Sequence, residues 1–149
     1  MKISTKGRYG LRSMVDLAIH SKNEHIPLST IAERQGVSEN YLEQVFSILR
    51  KAGLVSSIKG SSGGYTLADS PSNITVGKVL RALEGEIAIV DESTSGEENN
   101  VGSVEYCIRK NVWEKVNESI NNVIDSITLE DLANEYRRLN GNLNLMYYI

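Results

Sequence analysis

The chain has 149 residues, 40% of them hydrophobic, a net charge of −3 and one cysteine. That length supports one good core with room for a small domain plus an accessory element; a lone cysteine excludes an intramolecular disulfide framework, and no apolar run is long enough to span a bilayer. No secretory signal is recognisable, so a cytoplasmic location without membrane attachment is expected.

The charge is unevenly placed. Residues 1–82 carry 11 Lys and Arg against 6 Asp and Glu, net +5, whereas residues 83–149 carry 5 against 13, net −8. An acidic chain thus contains a basic N-terminal part, the footprint of a nucleic-acid-binding surface. Lys2, Lys6, Arg8, Arg12, Arg34, Arg50, Lys51 and Lys59 are the candidate phosphate contacts, and about half of them are expected to serve.

In chain order, Leu11, Met14, Val15, Ala18 and Ile19 recur at helical spacing and predict a first helix over 7–22. Pro27 and Leu28 begin a helix-turn-helix pattern, LSTIAERQGVSENYLEQVFSILRKA, at 28–52. Ala32 lets two helices approach, Gly36 takes the turn, and Leu42 anchors the second helix. That helix is N-capped by Ser38, and Leu42, Val45, Phe46 and Leu49 form its inward stripe. Asn40, Tyr41, Glu43, Gln44 and Ser47 then face largely outward, a flat polar surface suited to a major groove.

The β-prone runs 54–58 and 65–67 enclose the glycine-rich loop Lys59-Gly60-Ser61-Ser62-Gly63-Gly64 and predict a hairpin with a flexible tip, a wing. A nucleotide-phosphate loop is excluded, because no Gly-Lys-Ser or Gly-Lys-Thr closes it and a strand follows. After a turn at 69–73, Val76, Val79, Leu80 and Leu83 predict a helix over 75–83, ended by Gly85. Residues 91–105 are acidic and poor in apolar side chains, as in a mobile loop.

A longer helix is expected over about 106–127, with Ile108, Val112, Trp113, Val116, Ile120, Val123, Ile124 and Ile127 on one stripe. At about 30 Å it exceeds what so small a globule can cover, so the stripe is expected to pair with a second copy; packing within one subunit is the alternative. The reading is therefore a mainly α fold: a winged helix-turn-helix domain at 1–83 with a small β-hairpin wing, a connecting strand and acidic loop at 84–105, and a long dimerisation helix with a C-terminal tail at 106–149. Nothing marks an enzyme, since no nucleophile–base pair, paired carboxylates or phosphate loop is evident. A homodimer on palindromic double-stranded DNA is expected.

Several runs resemble the Rrf2 family of transcription regulators across nearly the whole chain: MKISTKGRYG at 1–10, SENYLEQVFSILRKAGLV at 38–55, the wing KGSSGGYTL at 59–67, the Trp113 helix, and TLEDLA at 128–133. By position, the resemblance implies base reading by Ser38, Asn40, Tyr41 and Gln44, with Lys59 and Gly60 at the wing; Glu43 would reject wrong bases unless it accepts from a cytosine amino group. Cluster-bearing members use three cysteines before the long helix. Here only Cys107 stands, at the last of those positions, and Lys110 replaces a further histidine ligand, so no cofactor or metal is expected. Cys107 remains a redox candidate.

The ending Leu145-Met146-Tyr147-Tyr148-Ile149 resembles that of the cysteine-metabolism branch, whose repressors pair with cysteine synthase, the O-acetylserine sulphhydrylase. On that resemblance Tyr147, Tyr148 and Ile149 are the partner-binding residues, the Ile149 carboxylate entering the enzyme's active site. An apolar tail folded on its own dimer is the alternative. The expected function is a repressor of cysteine and sulphur genes, or otherwise a cluster-free regulator of iron–sulphur assembly or redox-stress genes.

Overall fold

The computed structural model describes residues 2–22, 24–60, 63–90 and 100–148, with side chains up to residue 141. Helix α1, Thr5–His20, starts where the Ser4 hydroxyl accepts from the Gly7 amide at 3.3 Å. The Glu84 carboxylate, from a helix 77 residues away, accepts from the same amide at 3.1 Å and from both the amide and hydroxyl of Ser4. A distant acid thus satisfies donors that a helix N-terminus leaves open. Helix α2, Leu28–Gln35, ends at Gly36 with φ 67°, a left-handed conformation that glycine adopts without the Cβ penalty. Helix α3, Glu39–Lys51, begins on Ser38, whose hydroxyl accepts from the Tyr41 amide at 3.1 Å.

Strands β1, Val55–Ile58, and β2, Gly64–Leu67, form an antiparallel hairpin with Val55 opposite Leu67 and Ile58 opposite Gly64. A single bridge adds Ile26 to the far side of β2: Ile26 and Tyr65 exchange two backbone hydrogen bonds, both 2.8 Å. Helix α4, Val76–Glu84, is capped by Thr75 and closed by Gly85 at φ 82°. Met14, Leu17, Ile31, Leu42, Val45, Phe46, Leu49 and Val79 meet in one core, which joins α1 to α4. The helices expected over 7–22 and 75–83 therefore differ from those found only at their ends.

The C-terminal half departs further. The helix expected from residue 106 begins at Val104, capped by Ser103, and runs without a break in helical backbone through α5, Val104–Ile108, a π-helical turn, Arg109–Trp113, and α6, Glu114–Ser126. Residues 91–99 of the expected mobile loop lie outside the described residues; Asn100 to Ser103 form a turn leading into α5. The connecting strand expected in 84–105 is absent among the described residues. Residues 86–90 are instead held one by one: Asn117 Oδ1 accepts from the Ile89 amide at 2.7 Å, and Asn121 Nδ2 donates to the Ile87 carbonyl at 3.2 Å.

The eight-residue stripe divides. Ile120, Ile124 and Ile127, expected at a dimer interface, instead pack inside the subunit against Val76, Leu80 and Ile87. The reason is α4, whose outer face is itself apolar and lies under α6; Arg81 seals the contact through Asp125 and Asn121. The chain after 128 is likewise not a tail but a helix, α7, Leu129–Tyr148. Leu129 and Ala133 enter the main core, and the Val76 amide bonds the Ile127 carbonyl while the Leu129 amide bonds that of Ile74, so α7 turns back along α1.

Candidate nucleic-acid interface

Helix α3 presents two faces. Inward, Phe46 is fully buried and meets Tyr65 of the wing edge to face, centroids 4.9 Å apart, which ties the helix to the hairpin. Outward, Asn40, Glu43, Gln44 and Ser47 line one shallow hollow. They occupy successive turns, as i, i+3, i+4 and i+7 spacing requires, and all are polar. A second hollow adjoins it through Glu43, bounded by Glu39 and Arg50 of α3, Ser29 in the first turn of α2, and Lys59, Gly60, Gly63 and Gly64 of the wing.

Glycine is required in the second hollow for contact reasons. A Cβ on Gly63 would lie 2.3 Å from the Ile58 carbonyl oxygen, and one on Gly64 would lie 2.4 Å from the Ile26 backbone, so neither position accepts a side chain without moving main chain. The wing consequently lies flat against the start of α2, and its Lys59 stands exposed beside Arg50. Donors for phosphate and donors and acceptors for base edges are thus side by side, with the Glu39 and Glu43 carboxylates among them.

Of the residues expected from sequence, Asn40, Glu43, Gln44, Ser47, Arg50, Lys59 and Gly60 come together in these hollows, and Ser38 is the exposed cap at their edge. Tyr41 does not face outward with them. Its ring is half buried against the core and meets Tyr9 of α1 edge to face at 6.4 Å, because position 41 falls on the side of α3 that α1 covers. Lys51 lies in the last turn of α3, outside both hollows, where its charge suits the helix C-terminus.

Two arginines expected at phosphates have other partners, and a third lies elsewhere. Arg34 makes a bidentate pair with Asp16, and its hydrogen bond to that carboxylate raises its pKa against the cost of desolvation. Arg12 donates to Gln35 and lies over the Tyr9 ring. Arg8 rims a groove between α1 and α7, not the α3 face. Ser29 and Glu39 were missed in the sequence; Pro27, which marks a helix start, placed Ser29 in a first turn and was the available signal.

Val101, Val104, Ile108, Val112 and Trp113 are exposed, Val104 at 75% and Val112 at 41%, and α5 makes its main contacts with the turn that follows it. Val123, 57% exposed, continues this open side past the isoleucines. Val116 is half buried between the two sides. Tyr147 and Tyr148 belong to α7 by backbone, and Ile149 lies outside the described residues.

The donor set does not fit an iron centre. Cys107 is the only cysteine, it is exposed, and Asn111 Nδ2 approaches its sulphur at 3.7 Å; among the described residues no three His, Cys, Asp or Glu side chains gather. No helix of the described residues is long and apolar enough to cross a membrane.

The Rrf2 family, described as iron-dependent transcriptional regulators, matches residues 3–135. The regulator CymR of Bacillus subtilis is 44% identical over 133 residues, covering 89% of this chain and 90% of its own. The regulator IscR of Pectobacterium atrosepticum is 39% identical over 140 residues, covering 94% and 84%. Among solved structures, that of the global cysteine regulator CymR of B. subtilis superposes with a TM-score of 0.76 at 42% identity, covering 91% of this chain and 98% of the other. These relatives are named as transcriptional regulators of the helix-turn-helix type, not enzymes, and the fold described above is the winged helix of that group. The chain belongs to the Rrf2 family of DNA-binding transcriptional regulators.

Proposed function

We propose that this chain is a dimeric, sequence-specific DNA-binding repressor that controls cysteine and sulphur genes. The observation that carries the DNA reading is the junction of the two hollows: a polar helix face and a glycine-built wing share Glu43, so one duplex can meet both at once. The dimer reading rests on the stripe of Val104, Ile108, Val112 and Trp113, which stands exposed among the described residues. A groove of about 660 Å³ between α1 and α7, lined in part by Leu11, Val15, Ile19, Leu132 and Leu139, is the proposed receiving surface on a second copy. A two-fold pair presents two α3 helices to a palindromic operator.

The cysteine assignment is supported by the likeness to CymR and by the single cysteine of the chain, fewer thiolates than a cluster takes. Cysteine synthase is the proposed partner, with Ile149 as the docking residue. When O-acetylserine is scarce the enzyme's active site is free for the C-terminus, and the complex favours the DNA-competent repressor; O-acetylserine competes and relieves repression. Regulation requires the enzyme to prefer one conformation of the repressor, because equal affinity for both shifts nothing. The likeness to IscR supports a second reading, a cluster-free regulator of iron–sulphur assembly or redox stress.

Titration of purified cysteine synthase with the intact protein and with a chain lacking Ile149, each with and without O-acetylserine, separates these. Binding that needs Ile149 and is displaced by O-acetylserine supports the sulphur reading. Binding independent of Ile149 keeps the pathway and moves the contact, and no binding favours the second reading.

A further inference from the structure

We propose that Asp16, Gln35 and Tyr9 are positioning residues that set the pose of α3, and so its sequence discrimination, without touching DNA. The inference rests on the DNA-binding reading and deepens it.

Asp16 lies on α1 and is 3% exposed. Both its oxygens are engaged by the end of α2: Arg34 Nε donates to Oδ2 at 2.9 Å and the Arg34 terminal nitrogen to Oδ1 at 2.7 Å, while Gln35 Nε2 donates to Oδ2 at 2.8 Å. A buried carboxylate is stable only when so paired, so it pins the last turn of α2 to α1. Arg12 closes the other side of Gln35, donating to its side-chain oxygen at 3.3 Å and to its carbonyl at 3.0 Å. The same guanidinium lies 4.7 Å from the Tyr9 ring centre, and Tyr9 meets Tyr41, in the first turn of α3, edge to face.

The helix-turn-helix corner, Gly36 to Ser38, is therefore gripped by α1 on both sides: at Gln35 just before it and at Tyr41 just after. Rotation of α3 about its axis must break one grip. Hydrogen bonds to base edges weaken steeply outside a window of a few tenths of an ångström, whereas long Lys and Arg side chains follow phosphates through such a shift. Loosening the grip should cost discrimination and spare general affinity.

The test uses the full chain and an operator selected by it from a pool of random duplexes. Dissociation constants for that operator and for a scrambled duplex are measured across a salt series for wild type, Asp16→Asn, Gln35→Ala, Tyr9→Leu and Tyr9→Phe. The ratio of the scrambled to the operator dissociation constant is expected to fall about tenfold or more for Gln35→Ala and Tyr9→Leu, with scrambled affinity and salt slope unchanged within about twofold. Tyr9→Phe, which keeps the ring edge and face, should hold the wild-type ratio. Should Asp16→Asn fail to fold, Gln35→Ala and Tyr9→Leu, both at partly exposed positions, decide. An unchanged ratio, or equal losses on both duplexes, overturns the proposal. A wild-type protein that selects no sequence from the pool sinks the DNA reading as well, and shows this before any variant is made.

Discussion

Gly64→Ala isolates the seam between the wing and the helix-turn-helix unit. A Cβ at this position would lie 2.4 Å from both the carbonyl carbon and oxygen of Ile26 and 2.7 Å from the Pro27 nitrogen. All three are main-chain atoms, so relief requires β2 to retreat from the start of α2 by about 1 Å to reach ordinary contact. The two 2.8 Å hydrogen bonds between Ile26 and Tyr65 then open beyond useful length. Their loss costs about 1 kcal/mol each, and forcing an extra methyl into a close-packed seam adds about 1–3 kcal/mol. A total of about 3–5 kcal/mol corresponds to roughly 6–20 °C in Tm for a chain of this size. Thermal unfolding followed by circular dichroism measures it, with amide exchange at Ile26 and Tyr65 reporting the seam directly. Gly60→Ala is the comparison: among the described residues beyond its chain neighbours nothing lies within 4 Å of a Cβ there, and the backbone at φ 123° is what objects, so its cost should be clearly smaller. A Gly64→Ala protein within 2 °C of wild type, by the ~2–4 °C per kcal/mol scale, would refute the steric argument.

Gln44→Ala should relax sequence preference, whereas Lys59→Ala should weaken specific and random DNA alike and lower the salt slope by about one; equal effects of both changes on both duplexes would end that division of labour. Val112→Asp places a charge in the open stripe, and sedimentation should find monomer where wild type gives dimer, with the Phe46 core and its near-ultraviolet signal intact. The Arg81 guanidinium donates to both oxygens of Asp125 and holds that carboxyl below its usual range, the hydrogen bond being the main cause. A lowered folded-state pKa contributes stability above the ordinary carboxylate range and loses it as pH falls further, so the α4–α6 contact should weaken below about pH 4. Asp125→Asn should flatten that part of the acid dependence of unfolding; an unaltered profile would remove the pair from the account.

Legibility of the sequence followed the range of the interactions concerned. Ser38, Gly36 and the stripe of Leu42, Val45, Phe46 and Leu49 act within a few residues of one another, so spacing alone located α3 and its outward residues. Tyr41 was misread because which side of a helix is covered depends on a neighbour, here α1 through Tyr9, and nothing local to residue 41 encodes it. Arg34 and Arg12 looked like free cations until Asp16 and Gln35 were brought beside them. The segment after the long helix is expected as a tail; Leu129 and Ala133 become helical anchors through the core they enter.

By itself the sequence determined the winged helix-turn-helix plan, the outward polar face of α3, the wing between two strands and the presence of a single cysteine. Each of these is written in residue identity or short spacing. Tertiary structure alone decided which half of the long apolar stripe is covered, by laying α4 under Ile120, Ile124 and Ile127 and leaving Ile108, Val112 and Trp113 open. It also decided that Ser29 of α2 joins the wing hollow and that Glu84 caps α1 from across the domain. The physical reason is common to all three: burial and long-range hydrogen bonds depend on what the rest of the chain places nearby, and a linear pattern specifies a surface but not the surface set against it.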